Sequence, residues 1–473
     1  MLLSAFKNRD MSRSVSFLLL CCFSLLSAKL HAQAFKAPDG GGEYIPQVHD
    51  QLSEEQKARI HEEINRNKEL LGLTGHTSAA KEGATTVLFN WPLKQAAGYN
   101  YLSYYGVANY VDLNPANPGS VIDWNCGNRT YDVSGYNHGG CDIFLWPFDI
   151  NMMEDEQVEI IAAADGIIIG KDDGNFDHNC AMGSSDWNAV YVLHNDGKMT
   201  WYGHMKTGST TSLSVGDTVH TGDYLGLVGS SGSSTGPHLH FEVHDALDVV
   251  VEPFQGSCNP ATSLWASQKP YYESSINTIM TNSPAPVFNA CPALHDINRK
   301  DTFTCSDVIY FSSYFHDQMV GQNATYTIYY PDNSIYDTWT FAMSDPYYVA
   351  SWWYWYYTLP SAAPYGAWRY TLDFMGQHAE YTFYVLCGTA PSALPGTNAN
   401  QSFSLSPNPA TEKLQINSVA PIEWISVSDM SGRMMHVLFE NNQIDVSGLS
   451  AGIYQLQFSN RKGDTERSRF VKN

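Results

Sequence analysis

The stretch "SSGSSTGPHLHFEV", residues 230–243, places two histidines two positions apart directly after a flexible run of serine and glycine. Side chains on a β-strand alternate between its two faces. His238, His240 and Glu242 therefore share one face of the strand that this segment is expected to form. The pattern predicts two imidazoles that face one groove.

Short apolar runs separated by turn signals surround this stretch. Asp165-Gly166 and residues 195–197, Asn-Asp-Gly, are typical of hairpin turns. "TWYGHM", residues 200–205, is a further strand on which Tyr202 and His204 are expected to lie together. Short strands with such turns at regular spacing predict an antiparallel sheet or barrel.

A third motif offers a carboxylate. "NHGGCD", residues 137–142, spaces His138 and Asp142 as H-x-x-x-D, with two glycines that would let the backbone turn and bring both side chains to one ion. The same spacing recurs at His244 and Asp248 without glycines, so the spacing alone is weak evidence. What points to a metal site is the order of H-x-x-x-D, Y-x-H and H-x-H on alternating strands.

Two histidines and one carboxylate suit catalytic zinc, which keeps three protein ligands and one open position. Water bound there ionises near neutral pH and can attack an amide carbonyl. The chain has no H-E-x-x-H motif to supply a glutamate base, so another group must take the proton, and His204 or His238 could do so near neutral pH. Glu242 is the rival base, but two positions after His240 it fits better as a group that orients an imidazole.

The motif set as a whole resembles the lysostaphin-type (LytM-like) zinc endopeptidases, the glycyl-glycine peptidases that cut peptidoglycan cross-links. The resemblance covers about residues 120–255, in the segments "NHGGCD", "AAADGIIIG", "WYGHM", "SVGDTVHTGDYLGLVGSSGSSTG" and "PHLHFEV". It implies one zinc per chain with His138, Asp142 and His240 as its ligands. It also implies that the catalytic residues are His204 and His238, which do not bind the metal.

Cys141 departs from the family pattern, because members more often carry a small or hydroxylated residue before the aspartate. A disulfide or a competing thiol beside Asp142 would perturb the site. Seven cysteines follow the N-terminal segment, and in an oxidising compartment some should pair. The odd number leaves at least one without an intramolecular partner, and the connectivity stays open. They are Cys126, Cys141, Cys180, Cys258, Cys291, Cys305 and Cys387.

Charge and the N-terminus indicate where the chain acts. The formal net charge of −22 argues against nucleic acids and anionic membranes as partners. Residues 1–34 read as a signal peptide, with Lys7, Arg9 and Arg13 before the apolar run "VSFLLLCCFSLLSA". That run is too short for a spanning helix of about 20 residues, and no other stretch reads as a transmembrane anchor.

The remaining chain divides into four regions. Residues 35–88 form a helical N-terminal extension, either a pro-segment or a packing extension, with a helix over residues 53–71 that opens on a Ser53–Gln56 capping box. Residues 89–275 are expected to form the peptidase domain and residues 286–390 an accessory β-sandwich. The aromatic run at residues 352–357 reads as sandwich core and surface rather than a carbohydrate platform.

Residues 398–473 contain "SLSPNPATEKLQI", "VSDMSGRMM" and "VSGLSAGIYQLQF", in that order. The set resembles the C-terminal sorting domain read by the type IX secretion system of Bacteroidetes. It implies contact with the outer-membrane secretion machinery and export across both membranes, to the cell surface or the medium. The predicted fold class is mainly β: an antiparallel lysostaphin-like domain followed by two β-sandwich (immunoglobulin-like) modules.

These features together predict a secreted zinc metalloendopeptidase that hydrolyses peptidoglycan cross-links or glycine-rich proteins through a zinc-activated water. The alternative is an inactive peptidase fold that binds cell wall or matrix at the cell surface. A third reading, an adhesive or carbohydrate-binding protein made of tandem sandwiches, leaves the histidines unexplained.

Overall fold

The computed structural model describes residues 34–74, 86–133, 135–387, 403–418, 422–429, 434–435, 437–460 and 465–473. The expected signal peptide, residues 1–34, lies outside these ranges except for Ala34. Strands dominate the described chain, which confirms the predicted mainly-β class. No helix within these ranges combines the length and the apolar character that a membrane crossing needs.

The N-terminal extension contains two strands as well as the expected helix. Its elements are β1 (Ala34–Phe35), β2 (Gly40–Tyr44) and α1 (Glu54–Leu70). The predicted capping box is present: Ser53 Oγ accepts from the Gln56 amide at 3.2 Å, and Gln56 Oε1 accepts from the Ser53 amide at 2.9 Å. Ile60 and Ile64 form the buried face of α1.

The next region contains two sheets. Its elements are β3 (Leu93–Gln95), β4 (Tyr105–Asn109), β5 (Asp132–Val133), β6 (Tyr136–Asn137), β7 (Gly140–Leu145), α2 (Asp149–Glu154), β8 (Val158–Ile161), β9 (Gly166–Asp172), β10 (Ala189–Leu193), β11 (Met199–Gly203), β12 (Thr218–Val219), β13 (Tyr224–Leu227) and β14 (His238–His244). The main sheet is antiparallel, in the order β12-β9-β10-β11-β14-β7-β4, and the small sheet is β13-β8-β3. β5 and β6 pair with each other.

One of the two predicted hairpins is present. The turn at residues 195–197 joins β10 and β11, which pair antiparallel. The prediction of a hairpin at Asp165-Gly166 was wrong, because β8 belongs to the small sheet and β9 to the main sheet. Both runs are apolar because Ile160 and Ile168 enter the same core from the two sheets.

The two faces of the main sheet pack against different elements. One face packs on the small sheet through residues such as Tyr202 and Phe241. The other face carries Trp201, which packs with Ile60 and Ile64 of α1. Helix α1 therefore covers the face on which the histidines of β14 lie.

A β-sandwich follows, with strands β15 (Ser275–Asn282), β16 (Thr302–Phe303), β17 (Val308–Met319), β18 (Asn323–Tyr329), β19 (Ile335–Ala342), β20 (Tyr347–Thr358), β21 (Gly366–Phe374) and β22 (Gln377–Val385). Its sheets are β15-β17-β20-β2 and β1-β19-β18-β21-β22-β16. The sandwich thus begins at Ser275, earlier than the residue 286 expected from sequence, and the extension supplies an edge strand to each sheet. Trp353 and Trp355 are buried while Tyr356 is exposed.

The C-terminal module is built from two four-stranded sheets. Its strands are β23 (Phe403–Ser406), β24 (Lys413–Ser418), β25 (Ile422–Asp429), β26 (Met434–Met435), β27 (Leu438–Glu440), β28 (Gln443–Asp445), β29 (Gly452–Asn460) and β30 (Thr465–Lys472). The sheet orders are β23-β24-β28-β27 and β26-β25-β29-β30. Leu414, Ile444, Leu456 and Phe470 form its core.

Three disulfides cross-link the described chain: Cys126–Cys258, Cys180–Cys291 and Cys305–Cys387. Cys141 is free and buried, so one cysteine is left unpaired as the odd number required. The bond from Cys180 to Cys291 ties the main-sheet region to the segment that follows β15.

Candidate metal centre

Strand pairing brings the first two candidate ligands together. On the main sheet, His240 of β14 lies opposite Asp142 of β7 on one side and opposite Gly203 of β11 on the other. Residues that face each other across antiparallel strands project to the same face. The His240 Nδ1 atom lies 3.0 Å from Asp142 Oδ1.

His138 reaches the same point from just before β7. Its Nε2 lies 3.0 Å from Asp142 Oδ2, and its Nδ1 lies 2.7 Å from the Tyr110 carbonyl oxygen. A carbonyl only accepts hydrogen bonds, so Nδ1 carries the proton and the lone pair of Nε2 points to Asp142. This buried Nε2 has no hydrogen-bond partner among the described residues.

The two glycines between His138 and Asp142 act differently from the expectation. Neither has a positive φ, so they do not provide a special turn. A Cβ at Gly140 would lie 2.6 Å from the His240 ring, which is too close for any side chain. Glycine at position 140 therefore makes room for the imidazole of His240.

Glu242 fixes the orientation of His240. Its Oε2 lies 2.9 Å from His240 Nε2 and its Oε1 lies 2.8 Å from His244 Nε2. A proton on His240 Nε2 leaves Nδ1 for a metal. The contacts favour the positioning role expected for Glu242 over a role as base.

The two candidate catalytic histidines lie side by side. The ring centroids of His204 and His238 are 4.5 Å apart. His204 Nδ1 donates to the Ser231 carbonyl at 2.6 Å, and His238 Nδ1 donates to the Gly236 carbonyl at 2.8 Å. Because each Nδ1 carries the proton that it donates to a carbonyl, both Nε2 atoms are unprotonated, and they are directed into the site.

One expectation about these residues was wrong. Tyr202 and His204 do not lie together: Tyr202 is in the core between the two sheets, whereas His204 is in the site. His204 follows the end of β11 and has a φ of 61°, in the left-handed region. That backbone conformation breaks the alternation of the strand and turns the imidazole to the other face.

A residue that the sequence did not indicate lies at the centre of the group. Asp50, between β2 and α1, places Oδ2 2.6 Å from His240 Nδ1 and 3.1 Å from His204 Nε2. Its Oδ1 accepts hydrogen bonds from the hydroxyls of Tyr131 and Tyr136 at 2.7 and 2.8 Å. No local pattern around residue 50 marks it as functional, because its partners are far away in the sequence.

The electrostatics of the site follow from this mixture of buried carboxylates and imidazoles. Burial opposes ionisation of Asp142, yet the neighbouring His138 and the hydrogen bonds it receives hold its pKa well below the usual range. Burial also opposes charge on His240, but Asp50 and Asp142 raise its pKa well above the ordinary value. His204 differs, because burial and the nearby His238 lower its pKa.

The donor set fits a metal ion. One ligand atom each from Asp50, His138, Asp142 and His240 lie within 4.8 Å of one another, and all four residues are buried. A nitrogen lone pair that faces a carboxylate oxygen at about 3 Å needs a cation between them, either a proton or a metal. Two histidines and one or two carboxylates are donors that zinc accepts.

Cys141 does not disturb this arrangement. It lies opposite Phe241 in the pairing of β7 with β14, so it projects into the core and away from Asp142. Burial raises the pKa of its thiol well above the ordinary value. The thiol is therefore neither a competing ligand nor part of a disulfide.

Comparison with known proteins agrees with the motifs. Residues 148–253 match the model of peptidase family M23, and residues 404–473 match that of the secretion system C-terminal sorting domain. The first match includes His204, His238 and His240 but begins after His138 and Asp142. The chain carries both domains, which confirms the two resemblances, and the sorting domain marks it for export to the cell surface or the extracellular space.

Curated relatives match over short stretches. The glycyl-glycine endopeptidase ALE-1 of Staphylococcus capitis is 32% identical over 23% of this chain and 25% of its own length. The lysostaphin of Staphylococcus simulans is 43% identical over 12% of this chain and 11% of its own length. The chain thus spans about a quarter or less of the length of these relatives.

Solved structures are similar over about a third of the chain. The catalytic domain of lysostaphin from Staphylococcus simulans is 23% identical, with 34% of this chain and 96% of that chain covered and a TM-score of 0.19. A zinc-containing peptidase from Vibrio cholerae is 20% identical, with 37% and 40% covered and a TM-score of 0.21.

Proposed function

We propose that this exported protein is a zinc metalloendopeptidase whose metal is held by His138, Asp142 and His240. One observation carries the proposal: β7, β14 and the loop before β7 converge so that two imidazole nitrogens with fixed tautomers and one carboxylate face a single point. The catalytic region is residues 89–275. Bound there, zinc would supply a Lewis acid that polarises the scissile carbonyl and makes a water molecule more acidic.

The remaining chemistry belongs to His204 and His238. Both present an unprotonated Nε2 to the site, because each Nδ1 proton is committed to a backbone carbonyl. One of them accepts the proton of the attacking water, and the other, once protonated, stabilises the developing oxyanion or donates to the leaving amine. Ser231 and Gly236 hold the two rings in these tautomers and are positioning residues.

The proposed substrates are peptidoglycan peptides or glycine-rich extracellular proteins. Two relatives support a substrate of this class: the glycyl-glycine endopeptidase of Staphylococcus capitis, and a DD-carboxypeptidase/endopeptidase of Neisseria meningitidis that is 47% identical over 12% of this chain. The C-terminal sorting domain would bring the chain to the outer-membrane secretion machinery. Export past that membrane directs the enzyme to foreign peptidoglycan or extracellular protein rather than to the wall of its own cell.

Zinc content is the first test, because it does not depend on whether substrate reaches the site. Secreted protein, dialysed against metal-free buffer, should keep about one zinc per chain. His138→Ala should lose it, while His220→Ala, at an exposed histidine, should keep it. A wild-type chain that takes up no zinc from a metal-replete medium would contradict the proposal.

Cleavage is the second test. New amino groups are counted after incubation with purified peptidoglycan and with a pentaglycine peptide. We expect activity that disappears with a chelator and returns with zinc. Retention on peptidoglycan without any cleavage, by a chain that has its zinc and an open site, would favour an inactive binding module instead.

A further inference from the structure

A row of aromatic rings lies on the outer face of the sandwich sheet β15-β17-β20-β2. Trp352, Tyr354 and Tyr356 alternate along β20 with Trp353 and Trp355, which are buried in the sandwich core. Because side chains alternate between the two faces of a strand, the first three rings point away from that core. The aromatic run is thus core and surface in alternation, as expected from the sequence.

Tyr310 of the neighbouring strand β17 completes the row. It pairs with Tyr356 in the sheet, and its ring centroid lies 5.8 Å from that of Tyr356 and 5.5 Å from that of Tyr354. The Trp352 ring lies 5.6 Å from Tyr354 on the other side. Tyr356 is 52% exposed and the other three residues are half-buried. These four residues form one continuous surface, which we call the aromatic platform.

Glycines on the edge strand β2 leave room for the platform. Gly40 pairs with Tyr354, and Gly42 pairs with Trp352. A Cβ at Gly40 would lie 2.2 Å from the Tyr354 hydroxyl oxygen, so the tyrosine ring lies directly against the backbone of β2. A Cβ at Gly42 would meet nothing within 4 Å, so the space beside Trp352 is open. The edge strand therefore builds no wall over the rings.

The platform is apolar on its ring faces and polar at its ring edges. The three tyrosines carry hydroxyls and Trp352 carries an indole N–H. Within the described part of the chain, none of these four polar groups makes a hydrogen bond to another residue. A partner that fits the platform offers flat apolar faces together with hydrogen-bonding groups around their rim.

Charge excludes polyanions as that partner. The exposed carboxylate of Asp39 lies beside the platform and accepts a hydrogen bond from the Tyr356 amide at 2.9 Å. Aromatic rows that stack nucleic-acid bases are accompanied by basic side chains for the phosphates, whereas this chain has a formal net charge of −22. The chemistry of the platform points to a neutral ligand.

The platform is continuous with the interface between the sandwich and the peptidase region. The Phe288 ring lies 5.1 Å from Trp352 and 5.6 Å from Trp146. Trp146 directly follows β7, the strand that carries Asp142, and its Nε1 donates to the Phe315 carbonyl of β17 at 3.0 Å. These contacts fix the platform to the region that holds the candidate metal centre.

We propose that the aromatic platform binds a β-1,4-linked glycan, the sugar strand of peptidoglycan. A sugar ring in such a chain has a face of C–H bonds and a rim of hydroxyl and amide groups, which matches aromatic rings with free polar edges. The choice of peptidoglycan rests on the proposed function, whereas the platform itself does not. A glycan held there would raise the local concentration of its peptide stems beside the catalytic region.

The test measures the binding of chitohexaose, a soluble β-1,4-linked N-acetylglucosamine hexamer, to the full secreted chain by titration calorimetry. Trp352→Ala and Tyr354→Ala should each weaken binding by about tenfold, because each removes one stacked ring. Tyr356→Ala, at the most exposed ring, should also weaken it. Tyr329→Ala is the matched control, since this half-buried tyrosine lies on the outer face of the other sandwich sheet and should bind like wild type.

A metal-free variant separates this inference from the proposed function. His138→Ala should bind chitohexaose as wild type does, although it should lack zinc. No binding by wild type, or equal affinity in wild type and the three platform variants, would overturn the platform whatever the zinc content. Binding of a pentaglycine peptide that Trp352→Ala abolishes would overturn it too, because the partner would be a peptide. Chitohexaose binding without retention on purified peptidoglycan would refute peptidoglycan as the partner.

Discussion

Two His–Asp pairs with the same H-x-x-x-D spacing lie on the main-sheet region, and they differ in what surrounds them. His138 Nε2 lies 3.0 Å from Asp142 Oδ2, and His244 Nδ1 lies 3.0 Å from Asp248 Oδ1. The spacing brings imidazole and carboxylate together in both places. The contact within the pair is therefore not what makes one of them a candidate metal centre.

The difference is the third donor. His240 arrives beside Asp142 from the neighbouring strand, and the whole group is buried. The second pair instead meets His61 of α1, whose Nδ1 lies 2.8 Å from Asp248 Oδ2, and Asp248 stays 28% exposed. Among the described residues, the groups whose ligand atoms gather within 4.8 Å include His138–Asp142 and not His244–Asp248. A donor supplied across the sheet, rather than a spacing along the chain, distinguishes the site.

The largest effect should separate the two aspartates. Asp142→Ala removes a proposed ligand and should abolish stable zinc binding, whereas Asp248→Ala should keep about one zinc per chain. Metal analysis after dialysis measures both. Equal zinc content in the two variants would contradict the claim that only the His138–Asp142 pair binds zinc.

The next effect separates His204 and His238, the histidines proposed to transfer protons, from His244 of the second pair. His204→Ala and His238→Ala should each keep zinc and lower kcat by about a hundred- to ten-thousand-fold, the range for loss of a general acid or base. His244→Ala should leave kcat close to the wild-type value. Loss of zinc together with activity in His204→Ala would instead make that residue a ligand.

Glu242 touches both groups and should give an intermediate effect. Glu242→Gln keeps the size of the side chain but weakens its hold on the His240 Nε2 proton, so zinc affinity should fall by about 10–100-fold. Competition with a chromogenic chelator measures the change. An unchanged affinity would show that Glu242 serves only the second pair.

The smallest effect is on stability. Although burial opposes charge on His244, Asp248 and Glu242 raise its pKa to about 9. A pKa raised on folding means stability that is present in full below the ordinary value of about 6.5 and is lost as pH rises through about 9. His244→Gln should therefore lower the free energy of unfolding at pH 6, by about 1–3 kcal/mol.

That difference between His244→Gln and wild type should shrink as the pH approaches 10. Denaturant unfolding of zinc-loaded protein at pH 6, 8 and 10 measures it. A difference that stays constant over this range would contradict an imidazolium at residue 244.

Most of what the sequence predicted about the site came from the alternation of side chains between the two faces of a strand. It placed His238, His240 and Glu242 on one face, and the pairing of β7 with β14 brings Asp142 beside them. It failed at His204, where a positive φ just after the strand reverses the side chain. Local conformation of that kind is set by the packing of the whole site and leaves no periodic signal.

The role of the N-terminal extension was the part that the sequence left open. The capping box marked where α1 begins, because capping depends on neighbouring residues. Asp50 meets partners at positions 131–240, and β1 and β2 pair with strands near residues 340 and 352. Contacts between residues this far apart depend on tertiary packing, and a single sequence does not display them.

The most direct test of the metal centre is diffraction from crystals of the secreted protein, with data collected just above the zinc absorption edge. The account predicts one anomalous peak at about 2.0–2.2 Å from His138 Nε2, from Asp142 and from His240 Nδ1. A peak between His61, His244 and Asp248, or no peak in zinc-loaded crystals, would contradict it.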